Sequence, residues 1–261
     1  MPLHVDVRGA GPPLIVLHGF TQTARLWGRF GDLLAESHTL LAVDLPGHGD
    51  SGSVRADLPT AAGLVAEAVR AQVGDQPCTL LGYSLGARVG LHVALAAELP
   101  LRAVVFIGVT AGMEDPDERA RRRQSDDALA DGLEASGDVQ AFIDDWLRGP
   151  LFERLEIGDA AQRSERLRNS AAGLASSLRL CGTGTQDPLW DLLPTLGSPV
   201  LAMAGSDDTR FASYALRVAR LVPHGVTSLV PGGGHAVHLA QPEQAGRIVH
   251  HWLDAVEPGP V

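Results

Sequence analysis

Continuous apolar runs alternate with helical patterns along this chain, and that alternation constrains its fold more than any other feature. The runs lack the polar alternation of a half-exposed strand, and each is bounded by glycine, proline or aspartate; they cover residues 14–17, 40–43, 79–81, 103–107 and 200–204. Strands of this kind are buried on both faces, as in a parallel sheet that helices cover on both sides. We therefore predict a mostly parallel central sheet.

The segments between the runs carry the apolar spacing of amphipathic helices. We predict a last short strand over residues 227–230, and helices over residues 26–36, 60–73, 85–98, 211–221 and 241–256. Strands that alternate with helices in this way are typical of the α/β class, in which right-handed crossovers carry the helices onto both faces of the sheet. The predicted fold class is α/β, with a central sheet flanked by helices.

One long interval, residues 113–195, breaks this alternation. It has no convincing strand pattern and is rich in arginine, aspartate and glutamate. A structureless loop of that length is uncommon in a compact domain, so a helical insertion is the better interpretation. We predict that residues 1–112 and 196–261 form the core and that residues 113–195 form a helical cap, or lid.

Charge and composition limit the classes of molecule that this chain can bind. The chain has 261 residues and a net charge of −10, with 31 acidic residues against 21 basic ones that are all arginine. Such a surface repels a phosphate backbone, so we expect no nucleic-acid partner, and any anion must be bound by guanidinium groups. No apolar run is long enough to span a membrane, and no export signal or cofactor motif is visible. We expect a cytoplasmic monomer or small homo-oligomer with free thiols at Cys78 and Cys181 and no cofactor.

A G-x-S-x-G pattern places a candidate nucleophile between a strand and a helix. Gly82-Tyr83-Ser84-Leu85-Gly86 directly follows an apolar run and directly precedes a helical pattern rich in alanine and leucine. Glycine is needed on both sides because the chain reverses so tightly there, and the turn exposes the serine hydroxyl at the helix N-terminus. The alternative is a glycine-rich turn whose serine only caps a helix.

A nucleophilic or basic serine needs a histidine to take its proton and a carboxylate to orient that histidine. Asp208 and His235 each follow a predicted strand, in the chain order Ser, Asp, His that this architecture uses. Asp207 competes for the carboxylate role, but the turn favours Asp208. We expect His238 at a helix surface, together with His250 and His251, and we do not expect His235 and His238 to bind a metal.

Two further loops follow strands. His18-Gly19-Phe20 can place the backbone N–H of Phe20 beside that of Leu85, and the pair can form an oxyanion hole. The loop from Asp44 to Gly49 is better explained as a structural turn.

Together these motifs resemble the α/β-hydrolase fold from near Leu3 to about Val256. Further details resemble the 2-succinyl-6-hydroxy-2,4-cyclohexadiene-1-carboxylate synthases of menaquinone biosynthesis, a family that removes pyruvate from an isochorismate-derived intermediate. Those details are an arginine four residues after the nucleophile and segments at 118–126, 142–146, 150–152, 167–169 and 205–211.

The resemblance implies a lyase that binds a small anionic carboxylate substrate. It also implies a set of substrate-binding residues: Arg88, Arg122, Arg168, Tyr83 and Trp146. Two other functions remain open from the residues alone. One is a serine hydrolase, either a carboxylesterase or a C–C bond hydrolase, that acts on a small acidic substrate. The other is a non-enzymatic binding module of the same fold.

Overall fold

The computed structural model describes residues 1–153, 155 and 160–256. Its central sheet has seven strands in the spatial order β1-β3-β2-β4-β5-β6-β7, and all neighbours are parallel except β1 and β3. The strands are β1 (Val5–Gly9), β2 (Pro13–Leu17), β3 (Thr39–Val43), β4 (Cys78–Tyr83), β5 (Leu101–Ile107), β6 (Val200–Gly205) and β7 (Gly225–Val230). The mostly parallel sheet predicted from the apolar runs is thus confirmed.

Helices lie between the strands. In chain order they are α1 (Gly28–Ala35), α2 (Leu58–Val73), α3 (Leu85–Ala96), α4 (Pro116–Ser136), α5 (Val139–Leu147), α6 (Ala160–Arg166), α7 (Ala171–Cys181), α8 (Thr209–Leu221), α9 (Val237–Ala240) and α10 (Pro242–Val256). Each of the five helices predicted from apolar spacing is present with small shifts at its ends. Asp57, for example, caps α2 by accepting a hydrogen bond from the amide of Thr60, so this helix begins at Leu58 rather than Thr60.

The sequence did not predict β1. This strand pairs antiparallel with β3 at the edge of the sheet, and its residues are half-buried or exposed. Because one edge of β1 faces solvent, its sequence lacks the continuous apolar run that marks the inner strands.

Two apolar layers enclose the sheet. Within β2, Ile15 and Leu17 belong to one core cluster, and Leu14 and Val16 belong to the other. All four side chains are fully buried, because consecutive residues of a strand point to opposite faces. This two-sided burial explains why the strand sequences show no polar alternation.

The described residues of 113–195, here called the cap segment, contain helices α4 to α7 and no strand. They connect β5 to β6, and α4 packs against α7. The segments that follow β2, β4, β6 and β7 contain Phe20, Ser84, Asp208 and His235, so the sheet brings these four residues to its carboxyl edge. Within the described chain, no helix combines the length and the apolar character that crossing a membrane requires.

Candidate active site

The turn from β4 into α3 holds Ser84 in a strained backbone conformation. Its φ is 51° and its ψ is −106°, a region that L-residues rarely adopt. A Cβ at Gly86 would overlap the carbonyl oxygen of Leu17, and one at Gly82 would overlap the carbonyl oxygen of Gly86. The two glycines therefore permit the tight reversal that presents the serine at the N-terminus of α3.

Ser84, His235 and Asp208 form a continuous hydrogen-bonded relay. The Ser84 Oγ lies 3.0 Å from His235 Nε2, and His235 Nδ1 lies 2.8 Å from Asp208 Oδ2. An ionised Asp208 accepts the Nδ1 proton, which leaves Nε2 as the acceptor for the serine hydroxyl. The structure thus brings together three residues that the sequence separates widely.

Asp208, rather than its neighbour, is the carboxylate that contacts the histidine. Its second oxygen accepts the amide of Phe211 at 3.3 Å, which caps α8 and fixes the carboxylate. The amide of Asp207 donates to the carbonyl of Gly233, and its carboxylate accepts from Ser206 Oγ at 3.1 Å. The turn therefore directs the two neighbouring carboxylates to different partners.

Aromatic rings enclose the imidazole of His235, which is 4% exposed. The ring centroids of Phe211 and Tyr83 lie 4.3 and 5.4 Å from its own. On a further side, Gly108 has a φ of 62°, and a Cβ there would lie 2.8 Å from the imidazole Cε1. This packing fixes the position of the ring without using its nitrogens.

A network of core hydrogen bonds fixes the loop that contains Phe20. His18 Nδ1 donates to the carbonyl of Gly19 at 2.8 Å, while its Nε2 accepts the amide of Leu45 at 3.1 Å. The amide of Gly19 donates to Gln22 Oε1 at 2.8 Å. Burial lowers the pKa of His18 to about 4, which keeps the imidazole neutral, as its accepting nitrogen requires.

A cavity of about 270 Å³ opens onto the relay, between the core and the cap segment. Its wall includes Ser84, His235 and the two predicted oxyanion-hole residues, Phe20 and Leu85. The other lining residues come from the strand ends, the cap segment and α8: Arg88, Gly108, Thr110, Met113, Arg122, Trp146, Pro150, Leu151, Ser177, Leu178, Cys181, Gly182, Thr183, Arg210, Phe211 and Tyr214. The wall is thus mostly apolar, with basic groups at a few places.

Three arginines and no carboxylates line this cavity among the residues that the structure describes. Arg88 is 8% exposed, and no described carboxylate makes a salt bridge with it. Burial lowers the pKa of Arg88 to about 10, so the guanidinium stays charged at neutral pH. Arg122 Nε pairs with Asp126 Oδ1 at 2.9 Å, and Arg210 Nη2 pairs with Glu118 Oε1 at 3.0 Å.

Two residues predicted to bind substrate lie away from the cavity. Arg168 Nη2 donates to both carboxylate oxygens of Asp50, each at 2.8 Å, and this charge-assisted contact holds it outside the cavity wall. Tyr83 is 2% exposed and packs behind the relay, with its ring centroid 4.3 Å from that of His238. Trp146, Arg88 and Arg122 do line the cavity, as the resemblance implied.

His238 is fully buried, so the expectation that it lies on a helix surface was wrong. His238 lies in the short helix α9, just after His235. This helix packs against α1, and the imidazole of His238 is buried between Tyr83, Trp27 and Phe30. Burial lowers the pKa of His238 to about 3.

Arg210, Tyr214 and Thr110 line the cavity but were not predicted from the sequence. Arg210 and Tyr214 lie four residues apart on α8, directly after Asp208, and Thr110 follows the carboxyl end of β5. Their positions in the sequence could have predicted them, because residues that follow strands at the carboxyl edge of a parallel sheet face the same cleft.

Among the described residues, one group of side chains has the spacing of metal ligands. Donor atoms of His4, Asp44 and Asp50 lie within 4.8 Å of one another. Asp44 already accepts the amides of Ala24 and Asp50, and Asp50 is paired with Arg168. These carboxylates therefore hold the 44–50 loop in place and compete poorly for a cation.

Residues 14–246 match the model of the alpha/beta hydrolase family. The chain belongs to this family. The structure of MenH from S. aureus superposes with a TM-score of 0.90 at 27% identity, over 97% of this chain and 99% of that one. The match extends across both the core and the cap segment, so the fold resemblance covers nearly the whole molecule.

Relatives within the family include proteins named as synthases and one named as an esterase. A Bacillus subtilis (strain 168) protein, 32% identical over 95% of this chain and 92% of its own, is provisionally named a 2-succinyl-6-hydroxy-2,4-cyclohexadiene-1-carboxylate synthase. Several others, at 28% to 31% identity, carry that synthase name without qualification. A Stenotrophomonas maltophilia (strain K279a) protein, 31% identical over 98% of both chains, is named a pimeloyl-[acyl-carrier protein] methyl ester esterase.

Proposed function

We propose that this protein is a 2-succinyl-6-hydroxy-2,4-cyclohexadiene-1-carboxylate synthase, a lyase that eliminates pyruvate from 2-succinyl-5-enolpyruvyl-6-hydroxy-3-cyclohexene-1-carboxylate. One observation carries the proposal: the Ser-His-Asp relay opens into a cavity with three arginines and no carboxylate on its described wall. The names of the relatives and the S. aureus structure support the same reaction.

The relay supports proton abstraction. His235 Nε2, 3.0 Å from Ser84 Oγ, takes the hydroxyl proton, and Asp208 stabilises the imidazolium that results. The Ser84 alkoxide then removes the ring proton next to the succinyl carbonyl. As that C–H bond breaks, its electrons move through the ring double bond and break the C–O bond to the enolpyruvyl group. Enolpyruvate leaves, takes up a proton and becomes pyruvate, and no water is consumed.

The oxyanion donors would act during this step. Negative charge that develops on the succinyl oxygen can be stabilised by the backbone N–H groups of Phe20 and Leu85, two residues of the cavity wall. The relay is largely shielded from water, and hydrogen bonds to developing charge are stronger in such surroundings.

The cavity wall supports a polyanionic substrate. The proposed substrate carries three carboxylates, and a protein with a net charge of −10 needs local cations to bind it. Arg88 is the most suitable, because it is buried, charged and without a described carboxylate partner. Apolar side chains such as Trp146 and Phe20 can contact the ring of the substrate.

Release of pyruvate tests the proposal directly. Purified protein is incubated with the enolpyruvyl substrate, and pyruvate is followed with a coupled dehydrogenase. We expect release far above the rate in buffer. A rate equal to that in buffer, with protein that is folded by circular dichroism, would contradict the proposal.

A second candidate is a serine hydrolase, favoured by the esterase name of the Stenotrophomonas relative. The same relay can attack an ester carbonyl and form an acyl-enzyme. Rapid cleavage of a p-nitrophenyl ester with a pre-steady-state burst, without pyruvate release, would favour this candidate. The arginines on the wall favour acidic esters over neutral ones.

We also propose that the protein acts in the cytoplasm. Cys181 is a buried thiol that forms no disulfide, and burial raises its pKa to about 12. A protonated thiol outside any disulfide is typical of proteins in a reducing compartment.

A further inference from the structure

Arg210 is a third cation of the cavity; it lies in segment 205–211, which carries the resemblance, but it is not among the substrate-binding residues that the resemblance implies. Arg210 is on the first turn of α8, two residues after Asp208, and lines the same cavity as Ser84 and His235. Its guanidinium pairs with Glu118 on the first turn of α4, with 3.0 Å between Nη2 and Oε1. This pair connects the core to the cap segment at the cavity.

We propose that Arg210 binds a carboxylate of the substrate in exchange for Glu118, which holds the guanidinium in place until the substrate arrives. The inference rests on the proposed function in one respect: a substrate with several carboxylates needs more than one cation. The inference itself concerns recognition: the cavity binds a polycarboxylate through Arg210 as well as Arg88.

The exposure of the pair supports an exchange. The side chain of Arg210 is 55% exposed and that of Glu118 is 45% exposed. Ion pairs this open to solvent contribute little stability, so replacing one carboxylate partner by another costs little. A substrate carboxylate held in the cavity by its other contacts would have a high effective concentration beside Arg210.

Glu118 can release Arg210 without becoming an unstabilised charge. It occupies the third position of α4, and the carboxylate of Asp115 caps this helix by accepting the amides of Asp117 and Glu118. The helix N-terminus stabilises a carboxylate at that position. Glu118 therefore remains in favourable surroundings after the exchange.

The other two cations on the wall are arranged differently. Arg122 is bound to Asp126, which is almost fully buried, and Arg88 is itself buried. Arg88 thus offers a fixed positive charge, whereas the ion-pair partner of Arg210 among the described residues is an exposed carboxylate on the cap segment. Binding a carboxylate at Arg210 would break a contact between the core and the cap segment.

The chain provides a matched control. Arg217 lies two turns further along α8 and pairs bidentately with Glu114, just before α4, at 2.6 and 2.9 Å. This second pair joins the same two parts of the protein, but neither residue lines the cavity. Arg217→Gln therefore removes a surface ion pair between the same two parts, together with the contact of its guanidinium with the Trp190 ring, whose centroid lies 3.9 Å away, and it changes no residue of the cavity wall.

The experiment has two arms that read binding separately from turnover. In the first, kcat and KM for pyruvate release are measured for the wild type, Arg210→Gln, Glu118→Gln and Arg217→Gln. We expect Arg210→Gln to raise KM about tenfold or more with a smaller change in kcat, as loss of a charge-assisted pair predicts. Glu118→Gln should lower KM several-fold because the competing carboxylate is gone, and Arg217→Gln should leave KM unchanged.

In the second arm, tricarballylate protects Ser84 against a fluorophosphonate probe, and no synthase activity is needed. We expect protection of the wild type, weaker protection of Arg210→Gln, and wild-type protection of Arg217→Gln. If pyruvate is not released but protection depends on Arg210, the proposed function fails and this inference stands. If Arg210→Gln equals Arg217→Gln in both KM and protection, or if the wild type is neither active nor protected, the inference is overturned.

Discussion

Neighbouring residues, rather than the conformational preference of serine, impose the backbone conformation of Ser84. Its φ of 51° places the hydroxyl 3.0 Å from His235 Nε2, and alanine at the same position would keep the turn while it removes the oxygen. Substitution of this one residue by alanine therefore tests the chemistry with little change in structure.

We expect Ser84→Ala to lower kcat for pyruvate release by about a thousandfold or more, since the other members of a relay cannot replace its reacting oxygen. The measurement is the coupled pyruvate assay, with thermal melting to verify folding. Ser177→Ala, which changes a serine elsewhere on the cavity wall, should keep most of the activity. A fully active Ser84→Ala protein would remove the alkoxide from the mechanism.

The two adjacent aspartates offer a matched pair. Asp208→Asn should lower kcat by about 10³- to 10⁴-fold, because an amide in place of the carboxylate neither orients the correct histidine tautomer nor stabilises the imidazolium. Asp207→Asn should change kcat by less than about threefold, since Asp207 bonds Ser206 rather than His235. Equal losses in both variants would mean that the carboxylate is shared or wrongly assigned.

At the scale of elements, packing of α3 against the end of β2 forces the turn at the nucleophile. The Cβ that alanine would add at Gly86 overlaps two backbone carbonyls, those of Leu17 and His18, and backbone cannot move aside as a side chain can. Gly63, in the middle of α2, has no atom within 4 Å of the same hypothetical Cβ. The two helical glycines thus differ strongly in their tertiary surroundings.

Alanine at these two glycines should change stability in opposite directions. Gly86→Ala should lower the free energy of unfolding by about 3 kcal/mol or more through overpacking. Gly63→Ala should raise it by about 0.5–1 kcal/mol, since alanine loses less backbone entropy in a helix. Urea denaturation of both variants measures this. A stabilised Gly86→Ala variant would mean that the turn is looser than described.

At the scale of the whole molecule, the fold buries three histidines that stay neutral. Burial lowers the pKa values of His18, His48 and His238 to about 4, 3 and 3. In the unfolded chain the same groups have pKa values near 6.5. Below that pH the unfolded state binds protons that the folded state does not, so stability falls as pH falls toward 4.

The histidine effect can be isolated with one substitution. The free energy of unfolding of the wild type falls between pH 7.5 and pH 5, and His238→Phe should make that fall smaller by about 2 kcal/mol. The figure follows from about 1.4 kcal/mol per pH unit below 6.5. Phenylalanine suits the site because Trp27, Phe30 and Tyr83 surround it. His251→Gln, at an exposed position, is the control. Identical pH profiles for the wild type and His238→Phe would contradict the assignment.

The cavity is also a property of the whole molecule, because its wall combines strand ends of the core with Arg122 and Trp146 of the cap segment. Neither part encloses the cavity alone. Local patterns along the chain cannot specify which cap residues face inward, since that depends on how the cap segment docks.

The sequence by itself determined the inner strands, the five predicted helices and the order of Ser84, Asp208 and His235, because burial pattern and turn chemistry are local. Only the tertiary structure decided which cations face the cavity: Arg168 is held by Asp50 outside it, whereas Arg210 is brought to it by the position of α8. It also decided that His238 is buried and that β1 completes the edge of the sheet. These outcomes depend on partners distant in the chain, which no local pattern encodes.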